Sequence, residues 1–190
     1  MILTESKLRE LTPEVRVVNE AVAQRRVFSE VHRQYSVFLS HKHDEIEYLN
    51  RVRSVLESLN ANVYVDWADP AMQHPTNRAT AERLKQCICR YDKFIFIASN
   101  EAVKSRWCNW EVGFGDAQKY NANKIAIFPV KQTNREWEGN EFLQLYPTIE
   151  YFDGTTFYRN NTDRRIERGF YVKYYYNGNV IEPLEQWLGR

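Results

Sequence analysis

The sequence predicts a doubly wound α/β domain, and three observations carry the prediction. Short apolar runs alternate with segments of helical period between residues 35 and 152, the pattern of a parallel sheet covered by helices on both faces. The run Lys93-Phe94-Ile95-Phe96-Ile97-Ala98 is nearly all apolar, as a central parallel strand must be. The two ends depart from the alternation: helical spacing precedes it and a hairpin pattern follows it.

Taken in order, Leu8, Leu11, Val15, Val18 and Val22 step by 3, 4, 3 and 4, which keeps one helix face apolar. Thr12-Pro13 within that stretch reads as a helix restart, Thr12 capping and Pro13 in the first turn. Residues 4–31 are therefore expected to form one or two helices ahead of the main domain. Tyr35–Ser40 is the first strand. Ile46, Leu49, Val52, Leu56 and Leu59 then repeat at helical spacing, with Asp44 and Glu47 placed as a capping box. Residues 62–66 make a second strand. A loop holding Pro70 and Pro75 leads to a helix over 76–90, with Ala81, Leu84 and Ile88 on one face. The third strand is 93–98, a helix follows over 105–120, and 124–129 is the fourth strand. A short helix near Glu141 precedes a fifth strand at 148–152. Residues 170–176, Asn177-Gly178 and Val180-Ile181 read as a hairpin, and residues 184–188 as a closing helical turn. The six tyrosines from Tyr151 to Tyr176 read as packing.

Composition narrows the function. Lys plus Arg is 26 and Asp plus Glu is 25, a net charge of +1, which argues against binding nucleic acid by bulk phosphate neutralisation. Aromatic residues are 14% of the 190, too many for a disordered chain. Seven glycines leave little room for glycine-rich phosphate loops. No apolar run approaches the roughly 20 residues of a membrane span, and the first thirty residues carry acids, unlike a signal or transit peptide. A cytoplasmic protein is expected. Cys87, Cys89 and Cys108 form neither a CxxC pair nor an even set, so they are expected as buried thiols.

Doubly wound sheets bind ligands beyond the C-terminal ends of their strands, which directs attention to residues 40–44, 66–75 and 99–111. No G-x-G-x-x-G follows the first strand, so a dinucleotide-redox site is not expected, and no G-x-x-x-x-G-K-[ST] exists, so a P-loop site is excluded. A phospho-receiver needs acids after the first strand and an Asp ending the third, where this chain has Leu39-Ser40-His41 and Ala98-Ser99-Asn100. His41, His43 and Asp44 lack a third or fourth metal ligand of known spacing, so no metal is expected. Loop histidines contacting a ligand or solvent are the alternative.

The segment Ser105-Arg106-Trp107-Cys108-Asn109-Trp110-Glu111 is the most informative. Ser105 is placed to cap a helix. Trp107 and Glu111, four residues apart, share a helix face, and the helix start stabilises an anion. On spacing alone the pair also reads as an ordinary first-turn glutamate beside a core tryptophan. Gly113 and Gly115 inside the helix suggest close approach of another backbone, or a helix break.

The ordered set of motifs resembles a TIR domain. Val37-Phe38-Leu39-Ser40-His41 is similar to that family's opening FLSH box, followed by Asp44. Val63-Tyr64-Val65-Asp66 stands where the family's BB loop begins. Ser105-x-Trp107-Cys108-x-x-Glu111 is similar to the S-x-W-C-x-x-E signature of plant and bacterial members. The resemblance covers 34–152 and implies a flavodoxin-like, five-stranded parallel sheet. It leaves 1–33 as an N-terminal helical extension and 153–190 as a C-terminal extension with the hairpin. The BB-loop segment, residues 67–75, lacks the family's usual glycine.

The resemblance also implies a function. Many plant and bacterial members cleave NAD+, and their catalytic acid maps onto Glu111. Trp107 maps onto a site tryptophan, and Ser40, His41, Asp66 and Trp67 onto the nucleotide pocket. The expected activity is an NAD+ glycohydrolase or ADP-ribosyl cyclase, with NAD+ as substrate and no cofactor. A stand-alone member of this kind resembles the signal-producing component of Thoeris-type antiphage defence, with a separate effector sensing the product and self-association through TIR surfaces. The alternatives are a non-catalytic adaptor acting by homotypic association and a nucleoside deoxyribosyltransferase-like enzyme.

Overall fold

The strands that the sequence marks as apolar lie side by side in one sheet. The computed structural model describes residues 1–13, 35–66, 77–157, 164–175 and 180–190. Its strands are β1 (Leu3–Thr4), β2 (Tyr35–Ser40), β3 (Ala61–Tyr64), β4 (Lys93–Ala98), β5 (Ile125–Lys131), β6 (Thr148–Phe152), β7 (Gly169–Lys173) and β8 (Ile181–Pro183). Its helices are α1 (Glu5–Leu11), α2 (Ile46–Ser58), α3 (Arg78–Arg90), α4 (Asn100–Lys104), α5 (Arg106–Lys119) and α6 (Leu184–Leu188), with a 3-10 turn at Glu141–Leu145.

The five central strands run parallel in the order β3-β2-β4-β5-β6. That is the flavodoxin-like 2-1-3-4-5 order. Period-2 alternation sorts each strand between two cores. Ile95 and Ile97 of β4 point to one face, with Val37 and Leu39 of β2 and Leu49, Val52 and Leu56 of α2. Phe94 and Phe96 point to the other, with Leu84 and Ile88 of α3 and Val112 of α5. Both faces of β4 are buried throughout, which explains its unbroken apolar run.

Local chemistry sets the helix ends. The Asn77 side chain accepts from the Thr80 N–H at the start of α3, and the Ser105 side chain from the Cys108 N–H at the start of α5. These contacts satisfy amides that a helix start leaves open. Asn60, just past α2, takes a left-handed φ of 63°, which asparagine tolerates at a helix end.

Several expectations are corrected. Asp44 does not cap α2: its carboxylate pairs with Lys42, and Glu45 stands at the cap position without a side-chain bond to the helix's own amides. Gly115 does mark a close approach, since an added Cβ would lie 2.9 Å from the Phe94 ring, but nothing lies within 4 Å of one at Gly113. Cys87 and Cys108 are buried, whereas Cys89 is exposed. A separate short helix, α4, precedes α5. It starts where the Ser99 hydroxyl accepts from the Ala102 N–H.

The sheet also exceeds five strands: eight are present among the described residues. Antiparallel β7 and β8 extend it beyond β6 as the expected hairpin, and β1 pairs with Val130 and Lys131 of β5. Helix α1 ends at the Thr12-Pro13 break, with the Thr12 hydroxyl donating to the Leu8 carbonyl. The expected restart, with Val15, Val18 and Val22, lies outside the described residues, as do Trp67, the BB-loop segment and the Asn177-Gly178 turn. No helix among the described residues is long and apolar enough to cross a membrane.

Candidate active site

Three segments converge at the C-terminal edge of the sheet: the end of β2 with Ser40 and His41, the residues after β3 with Asp66, and the first turns of α5. Topology forces this meeting. The neighbouring strands β2 and β3 run parallel, so both deliver their following residues to the same edge. Helix α5 begins near that edge because β4, paired with β2, ends there.

Glu111 is the centre of the cluster. It is 2% exposed, and the Ser40 hydroxyl donates to its Oε2 at 2.5 Å. Burial drives the Glu111 pKa well above the ordinary carboxylate value, and the Asp66 charge raises it further. Hydrogen bonds from Ser40 and from Trp107, one turn earlier on α5, oppose that rise. Among the described residues no Lys or Arg compensates the Glu111 charge.

His41 is buried beside Glu111's helix, and its carbonyl accepts from the Cys108 thiol at 3.3 Å. Burial lowers the His41 pKa, against the pull of Asp66. The ring is therefore neutral at pH 7, and the 3.6 Å approach of its Nδ1 to Asp66 is a polar contact rather than an ion pair. The Cys108 thiol is pushed up to about 12 by burial, so it is no nucleophile at neutral pH.

The structure thus brings together Ser40, His41, Asp66, Trp107 and Glu111, while Trp67 is outside the described residues. Three further features were not anticipated. Trp107 stacks on Trp110 with centroids 4.9 Å apart, and Trp110 on Phe114 at 6.2 Å, an aromatic ladder along α5. The Ser99 hydroxyl donates to Glu45 at 2.6 Å, beside the same edge. His43 brings its Nε2 within 3.7 Å of Asp66. The 107, 110, 114 spacing was the available signal for the ladder. The other two are tertiary contacts with no local signature.

A family model of the TIR domain matches residues 37–168. The chain belongs to the TIR family. The match includes Ser40, His41, Asp66, Trp107 and Glu111 and runs past β6 to the loop before β7. One curated relative is the "Probable 3' cyclic ADP-D-ribose synthase ThsB'" of Bacillus cereus (strain MSX-D12). It is 29% identical to this TIR chain over 119 residues, 60% of either length. The chain therefore matches less than two thirds of that relative.

Proposed function

We propose that this TIR protein cleaves the bond between nicotinamide and ribose in NAD+, with Glu111 as the catalytic carboxylate. One observation carries the reading: a buried carboxyl group whose described partners are hydroxyl and indole donors and no cation. Such a group is suited to a positive charge arriving with the substrate. NAD+ brings that charge on its pyridinium ring. As the glycosidic bond breaks, nicotinamide leaves with the bonding pair and becomes neutral. The positive charge passes to the ribose, where a carboxylate beneath the ring stabilises it, as in glycosidases. Trp107 holds the carboxylate from one side and presents an aromatic wall to the flat leaving group.

The ribosyl cation is then captured. Water gives ADP-ribose and a proton, an internal hydroxyl or adenine nitrogen gives a cyclic isomer and a proton, and a second metabolite gives a conjugate. The relative's name favours the cyclic outcome. Ser40, His41, Asp66 and Trp67 line the nucleotide site in this reading, and the reaction needs no metal or redox cofactor. The product serves as an immune signal in antiphage defence, sensed by a separate effector, and self-association through TIR surfaces completes the site.

The test is mass-resolved chromatography of NAD+ incubated with the protein over a range of concentrations. Nicotinamide release with a ribosyl product of the mass of ADP-ribose less one water supports the cyclase. An intact NAD+ peak at every concentration contradicts the reading.

A further inference from the structure

His41 presents an unsatisfied group at the heart of the site. Its side chain is 2% exposed, yet neither ring nitrogen has a hydrogen-bond partner among the described residues. Buried polar atoms are rarely left so. The surroundings are polar. Asp66 Oδ1 lies 3.6 Å from His41 Nδ1, and Asp66 Oδ2 lies 3.7 Å from His43 Nε2. One ligand-capable atom from each of the three residues falls within 4.8 Å of the other two.

Those separations are too long for hydrogen bonds. The two histidine–aspartate distances, each to its own carboxylate oxygen, are near the edge of a coordination tetrahedron, and the widest separation, within 4.8 Å, must shorten as the exposed His43 side chain turns. Ligands held 2.0–2.1 Å from a zinc ion lie roughly 3.4 Å apart. The chemistry of the set is also selective. Two imidazoles and one carboxylate suit zinc and other late first-row divalent ions, while magnesium and calcium prefer oxygen ligands. Three protein ligands leave one coordination position open. The two histidines flank Lys42 after β2, and Asp66 follows β3, so the third ligand is separated from the pair by the whole of α2. This is why the histidines alone gave no metal signature.

We propose that His41, His43 and Asp66 form a binding site for a zinc-class divalent cation. The bound ion satisfies a His41 nitrogen and neutralises Asp66. Because His41 and Asp66 line the nucleotide site in the reading of Glu111 given above, an ion held between them blocks the nucleotide. Only this blocking role rests on the reading of Glu111 given above; the binding itself does not.

Equilibrium dialysis of the full chain against Zn2+, with metal quantified per protein, tests the site directly. One equivalent is expected on the wild type. His43→Ala is the decisive variant because His43 is exposed and its loss leaves the core intact. It should weaken binding at least tenfold, as should Asp66→Asn, whereas Cys89→Ser at the exposed thiol should leave it unchanged. Co2+ in place of Zn2+ should give the intense visible absorption of a tetrahedral site in the wild type and lose it in His43→Ala. Substoichiometric Zn2+ on the wild type, or undiminished binding in both His43→Ala and Asp66→Asn, overturns the proposal. Nicotinamide release from NAD+ by chelator-treated protein is read separately. Its absence bears on the catalytic reading alone, and metal binding with no effect on that release removes only the blocking role.

Discussion

Glu111 carries the account at the residue scale, and its environment makes opposite predictions for two neighbours. Ser40 donates to the carboxylate and favours its charged form, so Ser40→Ala raises the Glu111 pKa further. If the ionised form is active, the acid limb of the kcat/KM profile moves to higher pH in that variant. Asp66 disfavours the charge, so Asp66→Asn moves the same limb to lower pH. Initial rates of nicotinamide release across pH check both, and a shared direction contradicts the assignment. The same shift bears on stability. A carboxyl whose folded pKa exceeds its unfolded value binds its proton more tightly in the native state. Its stabilising contribution is therefore present below the unfolded value near 4.5 and lost as pH rises through the folded one. Glu111→Gln removes that loss, so its Tm should exceed the wild type's at pH 8 by more than at pH 5, by thermal melts at both. The sequence placed Glu111 and Trp107 on one helix face through their spacing of four. It offered no sign that Glu111 would be buried against Ser40, 71 residues earlier, because that contact depends on how two elements pack.

Helix α5 tests the account at the scale of elements. Two glycines break its pattern, and they differ in surroundings. At Gly115 a methyl group meets the Phe94 ring of β4 at 2.9 Å. Overpacking of that kind costs about 1–3 kcal/mol, against about 1 kcal/mol gained in helix propensity. Gly115→Ala should therefore destabilise. Gly113 faces open space, so Gly113→Ala should stabilise by up to about 1 kcal/mol. Urea midpoints of opposite sign are expected, and matching signs would refute the packing argument. The sequence could identify the glycines as unusual but not separate them, because period alone does not say what a face meets. Most elements were legible for the converse reason. The strands over 93–98 and 148–152 show their burial as runs rich in apolar and β-forming residues, α3 announces itself by spacing, and α5 by its Ser105 cap and spacing. Strand β1 was not legible, since two residues carry no period, and α4 is too short to be resolved from α5 by spacing.

At the scale of the whole molecule, both chain ends are built into the central sheet. Trp187 of α6 is fully buried in the same core as β2 and β4, its indole N–H donates to the Asn123 carbonyl, and Lys93 of β4 lies over its ring at 4.9 Å. Trp187→Ala should cost about 3–5 kcal/mol and shift one cooperative transition monitored by both far-UV and aromatic signals. A separate early transition would mean that the C-terminal hairpin and α6 unfold on their own. This architecture positions the site: parallel strands of different sequence position deliver Ser40, His41 and Asp66 to one edge, and α5 brings Glu111 to meet them. The most direct test of the account is nicotinamide release from NAD+ by wild type and by Glu111→Gln at matched folded concentration. Glutamine keeps an acceptor for Ser40 but has no charge to offer the ribosyl cation. A fall of at least about 10²–10³-fold is expected in the variant, with far-UV spectrum unchanged; a variant that turns over NAD+ at the wild-type rate would contradict the catalytic role of Glu111.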